Sequence, residues 1–400
     1  MSSSLSKRAR EPETSAHRSL LGELSPQLFD SLPRTGQRMR AQWYVRGLLE
    51  GPGRKTLRSI ATQFEGAAAP QRVHHFISES PWEWMPVRRA LASYVRQAMA
   101  PEAWVFRPTV IPKAGQHSIG VDQHYLPQLG RTVNGQYAVG GWLASRHAAV
   151  PVDWRLLLSG RWLRDPLRER VGITGTVTTE TLEECVREMV YAFVGPGGVG
   201  RAPVVVDADG VDTMALARHF SSAGLPFVLR VQPSEQLRLD QAELPKFGDQ
   251  ERGAAELATS MSRMRQPVNT EDSRTTAVAL PVIAPPPGSR LGMTLVAEWS
   301  GATPRPQKLW LTSADPKSLP SVLRLTRLPD VVERDFTDVS NHVGMRDFAG
   351  RSFPGWHRHV TLASVAHLVA VLAGRRGNRG GRGCLERRAG TQNTNLPSGN

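Results

Sequence analysis

Two carboxylates in this chain stand where chemistry could use them. Asp207 closes the apolar run Val204-Val205-Val206, and Glu333 opens the segment Val332-Glu333-Arg334-Asp335-Phe336 on an expected helix. Eighteen residues beyond Glu333 begins an Arg351-Ser352-x-x-Gly355-Trp356-His357-x-His359-Val360-Thr361-Leu362 run. Carboxylate oxygens are hard donors that suit magnesium, and a pair of such ions is the standard apparatus for cutting and joining phosphodiesters. Each residue also has a plain reading. Asp207 could cap the following turn, and Glu333 could be a solvent-facing glutamate paired with Arg334 or Arg327. His357 and His359 form an H-x-H pair, which without further ligands is a weak metal signal; packing and phosphate contacts alongside Trp356 and Arg358 are the expectation.

The C-terminal run resembles the end of a bacterial insertion-sequence transposase of the DDE superfamily. Other blocks are similar in the same order: Tyr44-Val45-Arg46-Gly47-Leu48-Leu49, His75-Phe76-Ile77-Ser78-Glu79-Ser80-Pro81-Trp82, Pro112-Lys113-x-Gly115-x-His117-Ser118-Ile119-Gly120-Val121, and Val152-x-Trp154-Arg155-Leu156. The resemblance runs from about Phe29 to Leu372. It implies an RNase H-like core, hydrolysis of DNA at an element end, and attack of the freed 3′-hydroxyl on a target. It further implies Mg2+, with Mn2+ as a substitute, bound by Asp207 and Glu333 as the second and third carboxylates.

The first carboxylate departs from the pattern. Arg107 and Pro108, in Trp104-Val105-Phe106-Arg107-Pro108-Thr109, occupy the positions of the family's Asp-Asp pair. An arginine cannot deprotonate to become a ligand, and it repels cations. Proline removes a donor from an expected central strand. The Tyr, Arg and Lys that often surround the family's glutamate fall on Thr326, Pro329 and Ser340. The expectation is a transposase whose DNA-end cleavage and strand transfer are impaired, with a non-catalytic DNA-binding regulator or inhibitor as the alternative. If the first two strands pair about the Lys113-Ala114 turn, Asp122 comes opposite Phe106 or Arg107 and is a possible substitute ligand.

Composition agrees with a polyanionic partner. The 400 residues carry a formal net charge of +14, and only six of the 50 basic residues are lysine, so arginine dominates. Its planar fork suits phosphate. Arg38, Arg40, Arg46, Arg54, Lys55 and Arg58 alternate with apolar residues and are expected to face DNA. The resemblance adds Lys113, Arg334 and Arg351 to Trp356, His357 and Arg358 as DNA contacts. Double-stranded DNA bound by a homodimer follows as the expected partner. The two cysteines lack metal-ligand spacing, the first residues lack a secretory apolar core, and no run is long enough to span a membrane. A cytoplasmic, nucleoid-associated protein is the expectation.

The elements that must position the carboxylates form an α/β fold. Residues 1–28 read as a disordered basic tail and 29–100 as a helical DNA-binding domain. An RNase H-like mixed sheet with flanking helices is expected over 101–373, with a β-rich insertion at about 233–312, before the last carboxylate. From 374 the Gly/Arg-rich composition reads as a second disordered tail. Three strands in an antiparallel meander are predicted between Ala103 and Leu143. A helix follows, with Thr181-x-x-Glu184 as its capping box, then a β-α-β unit with Asp212 as the N-cap.

Overall fold

The computed structural model describes residues 2–64, 68–126, 130–194, 200, 202–245, 250–270, 273–283, 291–301 and 303–389, with backbone alone at 2–13, 269–270, 273–274 and 377–389. Five helices come first: α1 (Ser2–Leu28), α2 (Thr35–Glu50), α3 (Leu57–Ala61), α4 (Ala69–His74) and α5 (Trp84–Met99). Four strands follow: β1 (Ala103–Pro112), β2 (Val121–Leu126), β3 (Arg131–Ala144) and β4 (Ala149–Leu157). Helices α6 (Leu167–Arg170) and α7 (Leu182–Val194) lead to β5 (Val204–Val206), α8 (Thr213–Ser222) and β6 (Phe227–Arg230). The expected insertion supplies β7 (Gln236–Leu239), β8 (Arg252–Gly253), α9 (Ala254–Ser260), β9 (Gln266–Thr270), β10 (Ser273–Ile283), β11 (Gly292–Ser300) and β12 (Lys308–Thr312). Helices α10 (Leu319–Leu325), α11 (Leu328–Asp335) and α12 (Phe353–Ala389) complete the described chain.

The strands join one mixed sheet in the order β2-β3-β1-β5-β6-β12-β11-β10-β7-β8. Strand β4 pairs Tyr137–Ala144 of β3, while β2 pairs the earlier stretch Arg131–Gln136. The core path β4-β3-β1-β5-β6 has antiparallel pairs at one side and the parallel pairs β1–β5 and β5–β6 at the other. That is the mixed arrangement of an RNase H-like fold. The insertion strands extend the same sheet through the antiparallel β6–β12 pair.

The meander expectation is corrected here. Strand β1 pairs with β3 and not with β2, and a fourth strand, β4, precedes the first core helix. The ten-pair β1–β3 ladder buries two long apolar strands against each other, whereas β2 alternates toward solvent and pairs only the outer part of β3. Non-local burial overrides the short connection after Pro112.

Two segments expected as tails carry helix among the described residues. Helix α1 buries Leu20, Leu21, Leu24 and Leu28, which lie on one helical face. Helix α12 continues through the Gly/Arg-rich segment to Ala389, and residues 390–400 lie outside the described residues. The local capping expectations hold. The amide of Thr181 donates to Glu184 Oε2 (2.9 Å), and that of Glu184 donates to Thr181 Oγ1 (3.3 Å). Asp212 Oδ1 accepts from the Ala215 amide at 2.8 Å.

Helix α12 is buried from Trp356 to Val369 and packs on α1, α2, α5 and β4. Its polar residues are therefore satisfied internally. The Tyr44 hydroxyl lies 2.8 Å from His359 Nδ1, and His359 Nε2 lies 2.9 Å from the Gly344 carbonyl. His367 likewise spans the Ser340 hydroxyl and the Ala149 carbonyl, both at 2.9 Å. Those partners assign a neutral imidazole that donates through Nε2. Burial pushes both histidines down to about 4.

Arg88, on α5, is the buried junction of the helices with the sheet. Its guanidinium donates to Asp153 Oδ1 (2.5 Å), the Trp154 carbonyl (2.9 Å), Thr361 Oγ1 (2.7 Å) and the His357 carbonyl (3.1 Å). Arg88 and Asp153 are 1% and 2% exposed, so neither has solvent as a substitute partner.

Two outcomes follow. Arg88→Met should lower the unfolding free energy in urea by about 3–5 kcal/mol, because Asp153 is left buried and unpaired; a loss under about 1 kcal/mol would show that the network does not hold the helices to the sheet. The second concerns acid. Below pH 6.5 the unfolded chain takes up protons that native His359 and His367 refuse until about pH 4. Stability is then lost as pH falls, by roughly 2 kcal/mol per histidine at pH 5. Urea midpoints at pH 7 and pH 5 check this, and equal midpoints would contradict it.

Candidate active site

The register of two parallel strands builds the site. Phe106 of β1 stands beside Val206 of β5, and the Asp207 amide donates to the Phe106 carbonyl at 3.1 Å. The next residues along, Arg107 and Asp207, are therefore neighbours. The β5 ladder stops at Val206, so Pro108 falls where β1 is paired on one side only. This is how the strand tolerates a residue without an N–H.

Helix α11 brings Glu333 to the same place. Its apolar face, Leu328 and Val332, is buried, and Phe336 continues it. Asp335 Oδ2 accepts from the Ala149 amide (2.7 Å), and Arg334 donates to the His147 carbonyl (3.0 Å) while pairing with Asp335. These bonds fix the helix against the start of β4.

Arg107 joins the two acids. Its Nε lies 3.5 Å from Asp207 Oδ2, and its Nη1 donates to Glu333 Oε2. The three side chains are 31%, 25% and 54% exposed in the order Arg107, Asp207, Glu333, so the cluster lies at the surface end of the sheet. Burial raises the Asp207 carboxyl above its ordinary value, against the opposing pull of Arg107, Arg230 and Lys308. The partners considered for Glu333 are engaged elsewhere: Arg327 pairs with Glu298 at 2.5 Å, and Arg334 with Asp335.

A cavity of about 300 Å³ opens beside Arg107 and Glu333, walled by Tyr137, Trp142, Trp154 and Phe336. The Arg346 guanidinium lies 4.4 Å from the Phe336 ring centroid. Gly140 makes room for this wall, since a Cβ there would come within 2.6 Å of Trp142 Nε1 and 3.0 Å of the Trp154 ring. The sequence does not announce the cavity or Arg346, because the walls come from six separated segments that only the fold brings together.

Asp122 is not part of the site. It opposes Gly135 of β3, which in turn opposes Pro112, five residues beyond Arg107 on β1. That places it on the order of 18 Å away. Its neighbour is Arg161, at 3.6 Å. The substitute-ligand expectation fails because β1 and β2 do not pair.

Several expected DNA contacts are internal. Trp356, His357 and Arg358 are buried; Arg358 donates to the Trp82 and Ile77 carbonyls, and His357 stacks on Trp84. Lys55 is buried, donating to the Gly51 carbonyl. Lys113 donates to the carbonyls of Arg346 (2.6 Å) and Phe348 (2.8 Å), and burial lowers it to about 8. Lys113 thus holds the loop after α11, and none of these cations faces outward. Arg38 caps the Asp30 and Leu32 carbonyls, and Arg46 pairs with Glu50 at 3.5 Å. Arg54, Arg58 and Arg351 are exposed and Arg40 is half-buried.

An RNase H-like sheet with acids at the end of a central strand and on a late helix defines the nuclease and polynucleotidyl-transfer class of fold. The family model described as DDE superfamily endonuclease matches residues 27–280, and the chain belongs to that family. The match takes in Arg107 and Asp207 but not Glu333. No curated protein matches the chain. Among the described residues, no helix is long and apolar enough to cross a membrane.

Nucleases of this superfamily typically use divalent metals. The residues present do not fit such a group. Among the described residues, no three or more His, Cys, Asp or Glu side chains converge as a metal site. The two carboxylates that meet have a guanidinium between them. A cation pair needs several anionic oxygens facing open space, and here the fixed positive charge fills it.

Proposed function

We propose that this protein is a DNA-binding member of the insertion-sequence transposase lineage, with its DNA-end cleavage and strand transfer impaired. The observation that carries this reading is the Arg107 guanidinium set against both Asp207 and Glu333. In this reading Arg107-Pro108 replace the first catalytic aspartate, and Asp207 and Glu333 are the surviving catalytic positions. Any Mg2+ or Mn2+ chemistry is lost with the first ligand. The geometry favours the regulator or inhibitor alternative over an active transposase, because the substitution reverses the charge at the site's centre.

DNA binding itself rests on the +14 net charge and on exposed arginines. Arg54 in the connection between α2 and α3 and Arg58 on α3, with Arg40 and Arg351, would meet the phosphate backbone of element ends. Arg334 lies on the same helix as Glu333 and is exposed, although part of its fork is engaged within the protein. A homodimer on paired ends and a nucleoid-associated location accompany this reading.

The test is nicking of a supercoiled plasmid that carries the DNA flanking the gene, with Mg2+ or Mn2+. The protein as it stands should bind the plasmid and leave it uncut, whereas Arg107→Asp should gain nicking that a second change, Asp207→Ala, removes. Cutting by the unaltered protein, abolished by Asp207→Ala, would defeat the impaired reading. In parallel, Arg54→Ala with Arg58→Ala should weaken binding and reduce the salt slope by about one for each lost phosphate contact. An unchanged slope would remove these arginines from the interface.

A further inference from the structure

We propose that Arg107 is a resident cation: it holds Asp207 and Glu333 together without metal and makes the site indifferent to divalent ions. The inference rests on the transposase-derived reading of the site but goes beyond loss of a ligand. A lost ligand predicts a weaker metal site. A resident cation predicts a site that is complete as it stands.

The geometry points to the second. Asp207 follows β5 and Glu333 lies on α11, and among the described residues no backbone hydrogen bond joins those two elements. Two carboxylates brought to one place repel unless a positive charge lies between them. Arginine meets that need because its planar fork offers donors in different directions at once. Here Nε faces Asp207 and Nη1 faces Glu333, so one side chain serves both acids. Lysine, a point charge, could not donate to Glu333 while turning a second charged edge toward Asp207. The guanidinium is covalently part of β1, so a chelator cannot remove it.

The surroundings are consistent with a fixed cation. Arg230 and Lys308 also act on Asp207 electrostatically, and Lys308 is itself tied to Asp330 at 3.0 Å. Arg346 lines the same cavity as Glu333, over the Phe336 ring, and feels the Glu333 charge. Basic groups thus flank the acids, with Asp330 the one acidic neighbour acting on Asp207, and the positive balance discourages a second, diffusible cation.

The test is thermal unfolding of the full chain with EDTA or millimolar Mn2+, alongside Mn2+ binding followed by electron paramagnetic resonance. The unaltered protein should show the same Tm in both buffers and no bound Mn2+. Arg107→Asp and Arg107→Met should each melt lower in EDTA, regain roughly 1–3 °C with Mn2+, and bind the ion. Adding Asp207→Asn to either should abolish that gain. If Arg107→Asp does not fold, the neutral Arg107→Met alone decides. A Mn2+-dependent rise in the unaltered protein, lost in Asp207→Asn, would overturn the proposal. So would Arg107 variants that fold normally and ignore Mn2+. Plasmid retention measured in the same buffers separates the two readings: loss of DNA binding with the metal response as expected would remove the DNA reading and leave the resident cation standing.

Discussion

The pairing of β1 with β5 is the constraint from which the site follows. Three parallel pairs, ending at Phe106 and Val206, fix which residues emerge side by side where the ladder stops. Once that register is set by burial of Trp104, Val105, Phe106 and the three valines of β5, residues 107 and 207 must be neighbours. A one-residue slip would turn every one of those side chains to the opposite face. The chemistry at position 107 can therefore change without disturbing the position itself. An arginine in that place inherits the neighbours of whatever it replaced, and its length lets it reach the late helix as well.

The second acid depends on a different part of the chain. Helix α11 is held by its apolar face and by Asp335 and Arg334 at the start of β4, while the loop after it is gripped by Lys113 and by the Lys55 amide through Asp347. Behind that loop runs α12, the buried helix on which the N-terminal helices and β4 both pack. Arg88 and the α12 histidines join these layers with hydrogen bonds that leave little for solvent. The helical segment before β1 is thus continuous with the core, and Lys113, which the resemblance assigns to DNA, serves instead to anchor the loop after α11.

Much of this was legible in the sequence, and the failures have physical causes. The triple valine ahead of Asp207, the apolar face of α7 and the caps at Thr181 and Asp212 are local signals, and the structure places the corresponding elements there. The leucine spacing in α1 was also present, but a serine-rich, charged composition around it argued for disorder. The β1–β3 pairing was not legible because it skips β2, and strand partners follow burial across the sheet more than closeness along the chain. The positions of His357, Lys55 and Lys113 were not legible for a related reason. A histidine or lysine has the same letter whether it faces phosphate or a buried carbonyl, and only the packing of α12 and of the loop at Gly344–Gly350 decides between them.

The most direct measurement of the central claim is anomalous diffraction from crystals soaked in Mn2+, recorded at the manganese edge. The Arg107 guanidinium should lie between Asp207 and Glu333 with no anomalous peak within coordination distance of either carboxylate. A manganese peak bridging those two acids, with Arg107 swung aside, would contradict the claim.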